Sequence, residues 1–169
     1  GVPYKKGKEI EIIKQLFDIG NLFDNANNLD LTHKTFIDFV KTEFKYRNVS
    51  DKNFENVLDD TINTCLTLSL KGIINKTDYD EIAKGIKGIV NFIFSERYNI
   101  DKAIVHASKV AYLCALLKRS NNQIERFTGD IRSIKDFLIK GRYHNKLNKL
   151  KKSNTEAFFY WYKAIELLK

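Results

Sequence analysis

A single proline, Pro3, occurs in 169 residues, and this scarcity is the strongest constraint on what the chain can fold into. Because proline interrupts helices, a chain that has almost none can run through long helices without a break. Apolar residues recur at spacings near 3.6, whereas no strand-like alternation of useful length is found. The sequence therefore predicts an all-α fold, an irregular bundle of about seven helices, in a single domain over residues 1–169.

Capping and turn-forming residues divide the chain into seven predicted helices. The first runs from about Lys8 to Phe23 or Asn25, and the stretch NANNLD ends it, because Asn and Asp favour turns. The second helix is predicted to be capped by Asp30 or Thr32, and the third by Ser50 with Gly72 at its C′ position. The fourth is opened by Thr77 with Asp80, and the fifth is capped by Asp101 and runs to Leu117. The sixth runs from about Asn122 to Ile139, and the seventh is opened by Ser153 with Glu156.

Three glycines inside the predicted helices indicate close helix crossings. Gly20 lies in the middle of the apolar half of the first helix, and Gly85 and Gly88 interrupt the fourth. A helical glycine lowers helix stability by about 1 kcal/mol relative to alanine, so we expect a neighbouring helix to approach at these points. The fifth helix is rich in alanine, which predicts a central, tightly packed position. The aromatic-rich seventh helix is expected to belong to the core.

Composition excludes several classes of protein. The chain is 43% hydrophobic, enough for a packed core, and no apolar run is long enough to cross a membrane. No secretory signal segment opens the sequence, so we expect a cytoplasmic protein without a membrane partner. Cys65 and Cys114 stand among apolar helix residues, which indicates reduced, buried thiols.

Familiar catalytic motifs are absent from the sequence. Its three histidines, His33, His106 and His144, are far apart and show no zinc-binding spacing, so we expect no metal site within this chain. His106 is interpreted as a core histidine with its hydrogen bonds satisfied. No glycine-rich phosphate loop occurs either.

The first helix carries a charged pair on its polar face. At 100° per residue, its isoleucines, leucine and phenylalanines occupy one half, and Lys14 and Asp18 share the other at positions i and i+4. This pair could be a solvated surface ion pair, which contributes a few tenths of a kcal/mol. However, a cation that precedes an anion opposes the helix dipole, so helix stability is a poor reason for this order. A functional reason would be that an ammonium is presented to phosphate beside a carboxylate that takes a proton or holds a metal.

The stretch GVPY followed by KEIEIIKQLFDIGNLFD resembles the start of the helical C-terminal half of AbiEii/AbiGii-type nucleotidyltransferase toxins. These are the toxins of bacterial abortive-infection toxin–antitoxin systems, which defend against phage. The family carries an Arg/Lys-Asp-x-x-Asp-Leu motif on such a helix, and here it reads Lys14-Gln15-Leu16-Phe17-Asp18-Ile19, with Gln15 where the family often has Asp. VLDDTINTCL, GIKGIVNFIF, KVAYLCALL and FFYWYKAIELL are also similar to this helical half, so the resemblance covers nearly the whole chain.

The resemblance implies nucleotidyl transfer from an NTP, with Mg²⁺, to an RNA or protein acceptor. It implies that Lys14 lies near the triphosphate and Asp18 near the attacking hydroxyl or a metal. The metal carboxylates of the family belong to an N-terminal nucleotidyltransferase domain, which this chain lacks, and its one Asp-x-Asp, at Asp78 and Asp80, is explained by helix capping. Because the chain also lacks Met, we expect it to be the C-terminal part of a longer protein, inactive alone, with an antitoxin as a further partner.

Residues 137–155 contain no acidic residue and carry +6 of the formal net charge of +8. Such a window could follow an RNA backbone or bind nucleotide phosphates, with Tyr143 stacking on a base, or it could be a solubilising surface segment. Its cations are Lys140, Arg142, Lys146, Lys149, Lys151 and Lys152.

A second class of function stays open, a stand-alone helical scaffold or nucleic-acid-binding module without catalysis. The reading frame upstream distinguishes the two classes. An upstream domain with a Gly-Ser or Gly-Gly motif and paired aspartates would favour the transferase, and a start codon directly before Gly1 would favour the module.

Overall fold

The computed structural model describes residues 7–46, 53–93 and 97–169, and within these ranges it contains helices and no strand. The α-helices are α1 (Glu9–Asn25), α2 (Asp30–Tyr46), α3 (Phe54–Ser69), α4 (Lys76–Ile89), α5 (Ile100–Lys118), α6 (His144–Ser153) and α7 (Thr155–Leu168). The predicted all-α bundle of about seven helices is confirmed.

Helix α5 lies at the centre of the bundle. Every residue from Ala103 to Leu117 except Leu113 is buried, because α1, α3 and α7 all pack against this helix. Its alanines, which are fully buried, present little bulk and let these neighbours approach closely. Helix α4 packs on α1 and α6 packs on α7, whereas α2 contacts α3 only lightly. The predicted central position of the alanine-rich helix is confirmed.

The glycines mark real helix crossings. A Cβ atom on Gly20 would lie 2.5 Å from Cγ of His106 on α5, and one on Gly85 would lie 2.4 Å from the backbone oxygen of Glu9 on α1. A Cβ atom on Gly88 would lie 2.9 Å from Cδ1 of Ile10. All three close approaches were predicted from the sequence.

Helix α7 belongs to the core, as its aromatic content predicts. Phe158 and Trp161 are buried, and the Trp161 indole N–H donates to Oγ of Ser69 on α3 at 3.0 Å. Tyr160 stacks on Tyr112 of α5 with a distance of 6.0 Å between ring centroids. Buried aromatic side chains therefore join α7 to both α3 and α5.

The helix caps differ from the predicted ones. Asparagines cap α4, α5 and α7, because their side-chain oxygens accept from free amides of the first turn. The observed caps are Asn75 in place of Thr77, Asn99 in place of Asp101, and Asn154 in place of Ser153.

At α2 and α3 the predicted ends are also shifted. The first residue of α2 is Asp30 itself, whose amide donates to Asn28, and Thr32 lies inside the helix. The predicted cap Ser50 lies outside the described residues, and the observed cap of α3 is Asn53. Both Lys71 and Gly72 are left-handed after α3, with φ of 51° and 83°, and Lys71 occupies the C′ position that was predicted for Gly72.

The prediction of a helix from Asn122 to Ile139 is wrong. This segment is irregular apart from a short 3-10 turn at Ile131–Ile134, which Asp130 caps directly after Gly129, a residue with φ of +86°. Backbone amides of this segment donate hydrogen bonds to side chains of the neighbouring helices, and the segment lacks the regular hydrogen bonds of a helix. Tyr112 and Tyr160 accept from the amides of residues 125 and 127. The number of helices is still seven, because α6, which was not predicted, forms within the basic window.

Candidate functional site

Lys14 and Asp18 lie side by side on the outward face of α1. Both residues are exposed, and neither forms an ion pair with another residue of the described ranges. The opposite face of the helix, with Ile13, Gly20 and Phe23, is buried against the bundle. Packing therefore uses one side of α1 and leaves Lys14 and Asp18 available for an interaction outside the described part of the chain.

A groove of about 410 Å³ separates α1 from α3. Its floor is formed by Ala107 and Val110 of α5, and the polar residues Gln15 and Asp60 line it from the two helices on either side. Its remaining lining is mostly apolar and consists of Ile12, Ile13, Leu16, Ile19, Thr61, Thr64, Cys65, Leu68 and Ile82. Lys14 and Asp18 do not line it, because they lie further round α1 towards solvent. The structure thus does not bring the charged pair into this groove.

The groove was not predicted from the sequence. The apolar half of α1 is wider than α4 and α5 can cover, and Ile19 at its edge is 38% exposed. This excess width was visible in the sequence, but a single helix does not show which of its edges a neighbour will cover.

The two thiols are buried, as predicted. Both cysteines are free, and Cys65 lies in the wall of the groove. Burial, together with the nearby Cys114, raises the pKa of Cys65 well above its usual value, and burial with the nearby Asp59 raises the pKa of Cys114 to about 12. Neither thiol is therefore an activated nucleophile.

Helix α6 presents part of the basic window to solvent. Lys146, Lys149 and Lys152 recur every three residues on its exposed side, while Leu147 and Leu150 face the core. Side chains three apart are neighbours on a helix surface, so these ammonium groups form one row. This row is hereafter called the α6 lysine row.

Lys151 differs from the other cations of the window. Its half-buried ammonium group donates to the backbone oxygens of Lys135 and Phe137, and lies 5.5 Å from the ring centroid of Phe158. It holds the irregular segment against α6 and α7. Of the six cations predicted to bind phosphate, Lys151 therefore has a structural role in the fold.

Lys140 and Arg142 precede α6 in the connecting segment and are exposed. The guanidinium carbon of Arg142 lies 4.7 Å from the ring centroid of Tyr143, a cation–π contact. Because of this contact, Arg142 already covers one face of the Tyr143 ring. Tyr143 itself is partly buried and has a φ of 63°. The expected stacking of Tyr143 on a base would have to use its other face.

His106 is a core residue, as interpreted from the sequence. It is buried on α5, Nδ1 lies 3.4 Å from the Tyr98 hydroxyl, and its ring packs 5.6 Å from that of Phe17. His33 packs edge-on to Phe54, and His144 Nδ1 lies 2.8 Å from the backbone oxygen of Gly141. The structure does not bring the histidines together.

Metal-binding side chains are also dispersed. Across residues 7–46, 53–93 and 97–169, no three His, Cys, Asp or Glu side chains come together to hold an ion. These residues do not by themselves fit the Mg²⁺ that the family resemblance implies.

A buried lysine joins three helices, and the sequence interpretation missed it. Lys109 of α5 has a side chain only 7% exposed, and its Nζ lies 2.9 Å from Asp24 of α1 and 3.0 Å from Glu156 of α7. Burial lowers the pKa of Lys109, but hydrogen bonds to the two carboxylates outweigh burial, so this pKa is raised. The signal in the sequence was a lysine within an otherwise apolar, alanine-rich helix.

The sequence matches no protein-family model, no curated protein and no solved structure. The similarity to the abortive-infection toxins thus rests on the quoted residues alone, and it stays a prediction. No helix of the described ranges is both long and apolar enough to cross a membrane.

Proposed function

We propose that this chain is the helical domain of a nucleotidyltransferase-like toxin of a phage-defence toxin–antitoxin system. In this proposal Lys14 and Asp18 face a catalytic domain across a cleft. Lys14 binds the triphosphate of the NTP, and Asp18 accepts the proton of the attacking hydroxyl of the acceptor. The helical domain presents these groups, and the catalytic domain contributes the rest of the site.

One observation supports this assignment above the others. Lys14 and Asp18 are exposed together on α1 and have no ion-pair partner within the described ranges. Their order along the helix also opposes the helix dipole, so the pair does not stabilise the helix. Lys76 and Asp80, which are exposed at the same i,i+4 spacing on α4, do form an ion pair. A fold that gains nothing from the pair is consistent with a role in binding or catalysis.

The test uses the longer protein that includes the expected nucleotidyltransferase domain. Asp18→Asn should reduce nucleotide transfer about 100-fold, a usual size for the loss of a positioned base. Its free energy of unfolding should change by less than about 0.5 kcal/mol, since the side chain is exposed. The matched control is Asp80→Asn, which removes an exposed carboxylate from α4 and should leave transfer unchanged.

Two outcomes would contradict the proposal. Full transfer activity in Asp18→Asn would reduce the pair to a solvated surface feature. Robust transfer by residues 1–169 alone would show that no second domain is needed.

A second candidate function is RNA binding, which the α6 lysine row favours. The row combines three exposed ammonium groups with the exposed Lys140 and Arg142, and the surrounding window has no acidic residue. Each contact with a phosphate of single-stranded RNA contributes about 0.7 to the slope of log affinity against log salt. Binding through the row should therefore be strongly dependent on salt.

Fluorescence anisotropy with a labelled single-stranded RNA tests this function. Replacing Lys146, Lys149 and Lys152 by Gln should abolish binding or reduce its salt slope by about 2. Lys151 is left in place, because its loss would disturb the fold instead of the surface. The control replaces three exposed lysines elsewhere, Lys34, Lys41 and Lys87, by Gln. Equal weakening in both variants would indicate attraction by net charge only.

A further inference from the structure

Helix α2 exposes large apolar side chains on the side that faces away from α3. Within Asp30–Tyr46, all of which the structure describes, Val40 is the one buried residue. Leu31, Phe39 and Tyr46 are 73%, 62% and 81% exposed. Single exposed apolar residues are ordinary on protein surfaces, but an aligned group of them marks an interaction surface.

The exposed residues of α2 follow the spacing of a helix–helix seam. Thr32, Thr35, Phe39, Thr42 and Tyr46 are separated by three and four residues alternately, and all five are exposed. This alternation is the pattern by which one helix packs along another. These five residues are hereafter called the outer stripe.

The inward face of α2 is separate from the outer stripe. Val40 and His33 lie on the inward face, and the ring of His33 packs edge-on to Phe54 of α3 at 6.5 Å between centroids. The outer stripe is therefore not the surface by which α2 joins its own bundle.

Charges beside the outer stripe specify the direction of a partner helix. Asp38 and Lys45 border one edge of the stripe, and Glu43 borders the other. If two α2 helices pack antiparallel, like edges meet, and Asp38 of each copy faces Lys45 of the other. If they pack parallel, opposite edges meet, and Asp38 faces Glu43 of the other copy, which is repulsive. The charges are complementary only in the antiparallel arrangement.

The sizes of the stripe residues agree with the same arrangement. In an antiparallel pair that brings Asp38 beside Lys45 of the second copy, Phe39 packs against Thr42 and Tyr46 packs against Thr35. Each aromatic ring then meets a small side chain, as close packing of two helices requires. In a parallel pair each residue would meet its own copy, ring against ring and threonine against threonine.

We propose that the outer stripe binds the outer stripe of a second copy of this chain, antiparallel and about a two-fold axis. A two-fold interface uses the same residues on both copies, which the self-complementary order of Asp38 and Lys45 satisfies. One helix face is smaller than a standard interface of roughly 1,600 Å², so the dimer dissociates on dilution, with a Kd that is roughly micromolar or weaker.

Sedimentation equilibrium of this chain over a wide concentration range tests the dimer. The mean mass should rise towards twice the monomer mass as concentration increases. Phe39→Ser should weaken the association at least 10-fold and leave the helical circular dichroism unchanged, because Phe39 is exposed. A wild-type mass that stays monomeric up to about millimolar concentration, or a dimer that Phe39→Ser does not weaken, would overturn the proposal.

Charge reversal tests the direction of the helices. Lys45→Asp should weaken the dimer several-fold, because Asp38 then faces an acid, and adding Asp38→Lys to that variant should restore it. Lys34→Asp, on the same helix but away from the stripe, is the matched control and should leave the dimer unchanged. Tighter association in Asp38→Lys alone would indicate parallel helices and refute the arrangement. Equal weakening by Lys34→Asp and Lys45→Asp would refute a specific pairing of charges.

Discussion

At Gly85, α4 lies against the backbone of α1. A Cβ atom there would lie 2.4 Å from the backbone oxygen of Glu9 and 2.8 Å from its carbonyl carbon. Backbone atoms held in a helix cannot move aside as the end of a side chain can. The two helices therefore pack at a separation that only glycine permits at this position.

We expect Gly85→Ala to destabilise the protein by about 1–3 kcal/mol, although alanine is the better helix former by about 1 kcal/mol. Gly88→Ala is the control, because its Cβ would meet only the flexible end of the Ile10 side chain, and we expect it to be nearly neutral. Urea unfolding of both variants measures the difference. Equal stability of the two variants would show that α1 and α4 can separate without cost.

Residue type alone identified these glycines but not the buried lysine. A glycine within an apolar helix face signals a crossing whatever the partner is, so the sequence sufficed. The place of Lys109 depends on Asp24 and Glu156, 85 and 47 residues away in the chain. Such an interaction depends on how three helices pack together. The apolar periodicity of a single helix does not predict that packing.

At the scale of elements, asparagine is the cap of four of the described helices, α3, α4, α5 and α7. Asn99 accepts from the amides of both Asp101 and Lys102 at 3.0 Å, so it satisfies two groups that α5 would otherwise leave free. Asp101, which the sequence favoured as the cap, lies in the first turn, where its negative charge interacts favourably with the helix dipole.

We expect Asn99→Ala to lower the free energy of unfolding by about 1 kcal/mol, because it removes the cap of the central helix. Asp101→Ala should cost only about 0.5 kcal/mol, since it loses the dipole interaction alone. Thermal unfolding followed by circular dichroism compares the two. A larger loss in Asp101→Ala than in Asn99→Ala would contradict the observed capping.

The elements that the sequence predicted well are the ones with strong apolar periodicity. Helices α1, α5 and α7 were placed within a few residues of their ends, because their buried faces dominate their sequences. The segment from Asn122 to Ile139 has a similar number of apolar residues, yet Thr128, Gly129 and Asp130 break it in the middle. Its irregular path is stabilised by distant side chains, so tertiary contacts outweighed local periodicity.

The candidate site could be predicted only in part. Helical geometry placed Lys14 and Asp18 on the polar face of α1, and both are exposed. Composition located the basic window, but it did not separate Lys151, which supports backbone oxygens, from the α6 lysine row. The groove between α1 and α3 was not foreseen, because it is formed where two helices fail to meet above a third.

At the scale of the whole molecule, the core keeps several weak acids protonated. Burial raises the pKa of Cys65, and it raises the pKa of Tyr112 and Tyr160. Burial with the nearby Asp59 raises the pKa of Cys114 from 9.0 to about 12. These groups ionise more readily in the unfolded chain than in the folded one. Their contribution to stability is therefore complete below their unfolded pKa values and is lost as pH rises.

We expect the free energy of unfolding to fall between pH 9 and pH 12, with a slope of up to about 1.4 kcal/mol per pH unit from Cys114 alone. Cys114→Ala should make this slope shallower. Val110→Ala, a truncation of another buried side chain of α5 without a titrating group, should lower stability but keep the slope. Urea unfolding under reducing conditions at several pH values measures both, and a slope unaffected by Cys114→Ala would contradict the buried thiol.

Trp161, whose indole donates a hydrogen bond to Ser69, can serve as a fluorescence probe of the contact between α7 and α3. Trp161 is the one tryptophan in the sequence, and it is sealed between α7 and α3 at 2% exposure. Its fluorescence emission should shift to longer wavelength when water reaches the indole, as the two helices separate. Circular dichroism, in contrast, also records α2, which the core does not enclose. A dichroism change that precedes the fluorescence change would thus report the melting of α2 alone, and coincident curves would report one cooperative unit.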